Sequence, residues 1–141
     1  MSTENLKTLY QQYIEDVWGG RDVAAMDKYF TEDHVDHDAP PGQEPGLAGL
    51  KATFAHMFSA FPDCRVEVQK LVAEGDTVVA RLRFSGTHKG VFFGIPPTGR
   101  YGARTSIHIL RVRDGKLSEH WGNADDLGMM MQLGVIQMPG Q

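Results

Sequence analysis

The sequence predicts an α+β fold, with N-terminal helices packed on a strongly curved, mostly antiparallel sheet and a closed-ended pocket between the two layers. Three observations carry this expectation. Apolar residues recur at spacings of three and four in the first half of the chain, whereas they alternate with polar residues in the second. Asp114-Gly115 sits between two such alternating runs, where a type I′ hairpin turn needs positive φ at both positions. The chain's 141 residues, of which 41% are hydrophobic, suit one core and one domain, 1–141, better than two.

Each element follows in order. Residues 3–18 carry Leu6, Leu9, Tyr10, Tyr13, Ile14 and Val17 on one helical stripe, which Gly19-Gly20 ends. A second short helix is expected at about 23–30. Residues 31–38 read as a short extended piece, and the breaker-rich run 39–46 as a loop. A third helix over 47–60 turns Leu50, Phe54, Met57 and Phe58 inward, with Phe61 just beyond it. Strands begin near Val66, turn at Glu74-Gly75-Asp76, and return over Val78 to Phe84. After a Gly- and Pro-rich loop at 85–100, strands at about 104–113 and 116–125 flank Asp114-Gly115. A short helix over 126–133 closes the fold, capped by Gly134.

Composition narrows the function classes. Charged residues make up 23% of the chain, which argues against disorder, and the net charge of -4 disfavours a phosphate backbone as partner. No apolar run approaches the ~18 residues of a spanning helix, and the N-terminus has no basic start followed by an apolar stretch. The lone Cys64 excludes an intrachain disulfide and suits a reducing cytoplasm. Nothing beside it in sequence would activate a thiolate. His34, Asp36 and His37 are close in sequence, but an extended segment points His34 and His37 to opposite sides, which argues against a metal site.

The Asp114-Gly115 turn sets a register. Arg113 faces Lys116 and Val112 faces Leu117. Counting on without interruption, Leu110 meets Glu119, His108 meets Trp121, Ser106 meets Asn123 and Arg104 meets Asp125. These last three pairs share one face, and Ile107, Ile109, His120 and Gly122 take the other. An aromatic ring beside an imidazole, an amide and a carboxylate has the composition of a ligand site. A bulge would reverse the assignment.

Several segments resemble the SnoaL-like polyketide cyclase (ester cyclase) family. They are Gly86-Thr87-His88-Lys89-Gly90 with Gly94-Ile95-Pro96-Pro97-Thr98-Gly99, and Glu119-His120-Trp121 with Asp125, Gly128 and Gln132-Leu133-Gly134. His37-Asp38, the loop 40–46 and Phe61-Pro62-Asp63 fit the same pattern, so the resemblance spans about residues 5–134. It implies an NTF2-like cone and an intramolecular aldol ring closure of a polyketide, with an acidic general acid/base and no metal or organic cofactor. By motif position that acid is Asp125, with Asp126 pointing away toward the final helix. His108 is expected to aid catalysis by donating to the developing oxyanion. Trp121, Asn123, His37, His88 and Arg104 are expected to line the substrate site. The alternative bland role of Asp125 is a cap for the helix that starts near 126.

The leading expectation is therefore a cofactor-independent cyclase, or related proton-transfer enzyme, acting on an apolar carbonyl compound. The alternative is a non-catalytic small-molecule-binding domain on the same cone. An epoxide hydrolase of related fold would need an Asp–Arg–Asp set, of which only Arg104 and Asp125 are evident. Ile107 and Ile109 would supply an apolar patch for a homodimer or higher homo-oligomer.

Overall fold

Ser2 starts the first helix: its hydroxyl accepts a hydrogen bond from the Asn5 N–H at 3.1 Å, satisfying one of the free donors of the first turn. Helix α1 spans Thr3–Tyr13 in a computed structural model that describes residues 1–137, 139 and 140; Met138 and Gln141 lie outside the described residues. The stripe predicted as one α-helix over 3–18 does not keep a single pitch. From Ile14 to Gly19 it widens into a π turn, and Trp18 Nε1 donates to the Tyr13 hydroxyl five residues back at 2.8 Å. A 3₁₀ segment, Val23–Lys28, follows, started by the Asp22 side chain. Strand β1 covers Phe30–Asp36. Helix α2, Gly46–Ala60, buries Leu47, Leu50, Met57 and Ala60.

Strands β2 (Arg65–Glu74), β3 (Thr77–Thr87), β4 (Tyr101–Arg113) and β5 (Lys116–Ala124) form an antiparallel meander, and helix α3 spans Asp126–Gln132. Both turns form where predicted: φ is positive at Asp114 and Gly115, as the type I′ turn requires, and also at Gly75. The sheet order is β1-β5-β4-β3-β2. The extended piece foreseen at 31–38 becomes an edge strand that pairs in parallel with β5, bonded by Leu117 N–H to Tyr29 O at 2.7 Å and His37 N–H to His120 O at 2.9 Å. This pairing brings Asp36 beside His120.

The β4–β5 register departs from the uninterrupted count. Arg113 faces Lys116 and Val112 faces Leu117, but Arg111 then faces Glu119, so Ser118 is one extra residue on β5. Its hydroxyl donates to Arg111 O at 3.2 Å. The physical reason lies in the expected pairs themselves. An ideal ladder would set Glu119 on the same face as Leu110, which is 3% exposed. The bulge instead sets Glu119 against Arg111, 2.8 Å away, and lets His120 stand opposite Leu110. Every residue beyond the bulge changes face.

The inner face of β4 carries Arg104, Ser106, His108 and Leu110, in register with Phe84, Leu82, Ala80 and Val78 of β3. The helices cover it. Leu6, Tyr10, Tyr13, Val17, Met26 and Leu50 join Val78, Ala80, Leu82 and Leu110 in one core, each large side chain contributing about 1.5–3 kcal/mol by leaving water. A second core gathers Phe61, Phe84, Phe92, Met129 and Leu133 beneath α3. Gln132, from the Gln-Leu-Gly motif, staples α3 to β4: Ala103 N–H donates to its Oε1 at 2.8 Å and its amide donates to Ala103 O at 2.7 Å.

Candidate active site

Four polar side chains form an unbroken chain of hydrogen bonds on the inner face. Asp36 Oδ1 lies 2.8 Å from His120 Nδ1, His120 Nε2 lies 2.7 Å from His108 Nδ1, and His108 Nε2 lies 2.8 Å from Ser106 Oγ. Gln43 extends the set, donating to the second oxygen of Asp36 at 3.2 Å and accepting from the Thr53 hydroxyl at 2.6 Å. Three strands and the 39–46 loop thus converge on one relay. Gly122 makes the central contact possible. A Cβ there would stand 2.8 Å from His120 Cε1 and Nε2 and 2.9 Å from His108 Nδ1, inside van der Waals contact with both rings.

The bonding order sets the tautomers. The Asp36 carboxylate accepts the proton of His120 Nδ1, so with neutral rings His120 Nε2 accepts from His108 Nδ1–H. His108 Nε2 then holds a free pair, which accepts from Ser106. Burial, the neighbouring His120 and the Arg104 charge push His108 down to about 3, against a smaller upward pull from Asp36, so its ring is neutral near pH 7. Burial alone would raise Asp36. The hydrogen bonds from His120 and Gln43 outweigh it and hold the carboxyl below its usual range.

Apolar walls stand over the same face. Trp18 packs on Phe54 at 4.7 Å and on Phe58 at 5.2 Å between ring centroids, and its ring lies 6.1 Å from Phe84. Trp18, Phe54 and Phe58 keep partial exposure. Arg104 lies over Phe84, 5.6 Å from its centroid, and its guanidinium bonds the carboxylate of Asp126. A pocket of about 500 Å³ opens between the end of β1 and the 39–46 loop and reaches Asp36 and Gln43. A smaller, more polar cleft of about 260 Å³ between α1 and β2 is lined by the Lys7–Glu4 ion pair, 3.7 Å apart.

The residues expected at the site divide. His108 and Arg104 are on the inner face as foreseen, with Ser106 beside them. Trp121 and Asn123, expected there, lie on the outer face because of the bulge, opposite Ile109 and Ile107. The pocket lining foreseen from Trp121, Asn123 and Asp125 is corrected accordingly, and His120 and Gly122 move inward in their place. His37 follows Trp121 outward, stacking on it at 4.6 Å with Nε2 2.9 Å from Glu119. His34 instead points inward, so the two imidazoles do not converge on a metal. Asp125 lies past the end of β5 rather than opposite Arg104. It is exposed and caps α3, its Oδ1 accepting from Gly128 N–H at 2.9 Å. Asp126, expected to point away, is the Arg104 partner.

His88 is fully buried under the β3–β4 connection, between Phe61 and Phe92. Its Nδ1 accepts from the Thr98 backbone N–H at 3.3 Å and lies 3.0 Å from the Thr98 hydroxyl, pinning the loop. It does not join the relay. Cys64 is buried, and burial pushes its thiol up, away from thiolate chemistry.

Asp36, His120, Gln43 and Gly122 were missed as inner-face residues. The signal that would have found two of them was the conflict between Glu119 and the core residue Leu110 in the ideal register. Asp36 and Gln43 depend on a parallel pairing that no local pattern announces.

Comparison with known proteins converges on one group. The SnoaL-like polyketide cyclase family model matches residues 8–133. The chain is 31% identical over 104 residues to the nogalonic acid methyl ester cyclase of Streptomyces nogalater, covering 74% of this chain and 73% of that protein. It is 31% identical over 130 residues to the aklanonic acid methyl ester cyclase AcmA of Streptomyces galilaeus, covering 81% and 86%. Among solved structures, TsrD from Streptomyces laurentii superimposes with a TM-score of 0.89 at 29% identity, over 96% of this chain and 99% of that one. IdmH from Streptomyces antibioticus gives 0.78 at 33%, over 92% and 99%. With its cone of sheet, its covering helices and a family match across nearly the whole length, the chain belongs to the SnoaL-like polyketide cyclase family.

Proposed function

We propose that this protein closes a ring of a polyketide-type carbonyl compound by intramolecular aldol addition, with His108 as the group that exchanges protons with substrate. The observation that carries this reading is the Asp36–His120–His108–Ser106 chain on the shielded face. An aldol closure removes a proton α to a carbonyl and later protonates the alkoxide that forms. A lone imidazole held near 3 is a weak base. The relay removes that difficulty. A proton accepted at His108 Nε2, once the Ser106 hydroxyl has turned off that nitrogen, releases the Nδ1 proton to His120, and the positive charge comes to rest beside the Asp36 carboxylate. The reverse movement delivers a proton from His108 Nε2 to the alkoxide. Arg104, on the same face, holds the carbonyl or enolate oxygen, and the aromatic rings of Trp18, Phe54 and Phe58 pack on the substrate rings. Asp125 keeps the role of a helix cap. No organic cofactor enters the scheme.

The test uses aklanonic and nogalonic acid methyl esters as candidate substrates, followed by chromatography. The wild-type protein converts at least one of them, and His108→Phe, folded with an unchanged thermal midpoint, loses about 100- to 10,000-fold in turnover. Binding without conversion by the wild-type protein would replace this reading with the non-catalytic one. Full activity in His108→Phe would remove the relay.

We also propose a homodimer through the outer sheet face, where Ile107 and Ile109 are 44% and 40% exposed beside Trp121. Light scattering at micromolar concentration tests it; a species of 15.6 kDa alone would exclude it. No helix among the described residues is long and apolar enough to cross a membrane. A lone buried cysteine fits a cytoplasmic location.

A further inference from the structure

His34 is a second buried imidazole that the proposed proton relay does not use. It lies on β1, two residues before Asp36, with its ring edge-on to Phe30 at 5.0 Å. Its Nδ1 is 3.0 Å from Leu117 O. A carbonyl oxygen only accepts, so Nδ1 carries the proton and Nε2 holds a bare lone pair. That nitrogen has no partner among the described residues, although the residue is 2% exposed. A buried acceptor left unpaired costs free energy, and a native protein tolerates it where something else supplies the donor. Burial lowers the affinity of the ring for a second proton, so the lone pair persists near neutral pH.

The surroundings say what the donor is. His34 lines the pocket of about 500 Å³ between β1 and the 39–46 loop, together with Asp33, Asp36, Gln43, Ala39 and Pro45. That volume takes a fused aromatic ring system. The carboxylates of Asp36 and Glu44 repel an anion, as does the lone pair itself, whereas that of Asp33 is paired with Arg113. Asp36 is already committed to His120 and Gln43. The free polar valence on offer is therefore a neutral acceptor in a mildly acidic pocket.

We propose that this pocket is a hydroxyl-recognition subsite, in which His34 Nε2 accepts a hydrogen bond from a phenolic or enolic hydroxyl of an uncharged aromatic ligand. Assigning that hydroxyl to the cyclised substrate rests on the function proposed above, whereas the binding itself does not. The subsite selects rings that carry a neutral donor at one edge and disfavours carboxylates.

The experiment measures binding of 2-naphthol, the nearly isosteric non-donor 2-methylnaphthalene, and 2-naphthoate by calorimetric titration. Wild-type protein favours 2-naphthol over 2-methylnaphthalene by about tenfold, the usual value of one buried hydrogen bond, and 2-naphthoate binds weakest. In His34→Phe the preference collapses to about unity, while His108→Phe retains it. Nitrogen-15 NMR of the wild-type imidazoles gives a readout that needs no variant: the His34 Nε2 resonance moves upfield with 2-naphthol and stays in place with 2-methylnaphthalene. An unchanged preference in His34→Phe, a stationary Nε2 resonance, or 2-naphthoate binding as tightly as 2-naphthol would overturn the subsite. Loss of the preference in His108→Phe instead would move the hydroxyl to the relay. Loss of turnover in His108→Phe with the naphthol preference intact keeps both proposals. Full turnover in His108→Phe with that preference intact removes the relay alone.

Discussion

The two faces of the β4–β5 hairpin carry similar chemistry in different surroundings. On the outer face His37 stacks on Trp121 and bonds Glu119, which also pairs with Arg111. On the inner face His120 bonds Asp36 and His108. Each face has a histidine against a carboxylate. The outer pair is open to water, with His37 and Glu119 side chains 39% and 25% exposed, so screening leaves it little energetic weight. The inner pair, with His120 and Asp36 side chains 20% and 9% exposed, is roofed by helices. There a proton that moves changes the energy of everything around it. Residue type alone does not distinguish a shielded polar chain from a surface ion pair; the low-dielectric roof does.

The largest expected effect tests that contrast directly. His120→Phe interrupts the relay and should lower turnover by about 100-fold or more. His37→Phe should leave it within about twofold, as expected for an exposed pair. Steady-state rates of the two variants on one converted substrate make the comparison, and equal losses would end it.

Next in size is Gly122→Ala. The added Cβ must push the His120 and His108 rings apart, and a displacement of about 1 Å in such a contact costs about 100-fold in rate. The core beneath is untouched, so the thermal midpoint should change far less than activity. Asn123→Ala, one residue on and facing outward, serves as the control, and a comparable loss there would count against the inner-face assignment.

A pH profile of stability sharpens the same comparison. The folded state holds His108 down to about 3, whereas the unfolded chain binds that proton near 6.5. The stability contributed by the neutral ring is complete above 6.5 and is lost as pH falls from there toward 3. Asp36, also held low, adds a loss that begins only below about 3.8. Thermal midpoints measured from pH 7 to pH 4 should fall, and His108→Phe should flatten that slope. An identical slope in the variant would show that the ring is not held neutral by the fold.

The smallest effect is at the cap. Asp125→Ala removes the bond to Gly128 N–H and should cost about 1 kcal/mol of stability. Turnover measured below the melting range should be unchanged. A loss of activity in folded Asp125→Asn would return the proton transfer to that carboxylate.

Sequence alone determined the helix stripes, the turns at Glu74-Gly75-Asp76 and Asp114-Gly115, and the first two pairs of the last hairpin. These depend on contacts within a few residues, where periodicity and turn conformation act without reference to the rest of the chain. His108 and Arg104 were legible as neighbours on one inward face for the same reason: both lie on β4, whose alternation is unbroken. The cap at Asp125 was legible as an alternative because capping needs only the next three residues. Tertiary structure decided the partners. The bulge at Ser118 forms because Leu110 is buried against Val78 and the helices, so Glu119 cannot stay on its face; the cost of that burial appears only once the sheet is covered. Asp36 reaches His120 across 84 residues through the parallel edge pairing, which no local spacing encodes. The relay exists because long-range packing chose which of two faces each side chain of β5 would occupy.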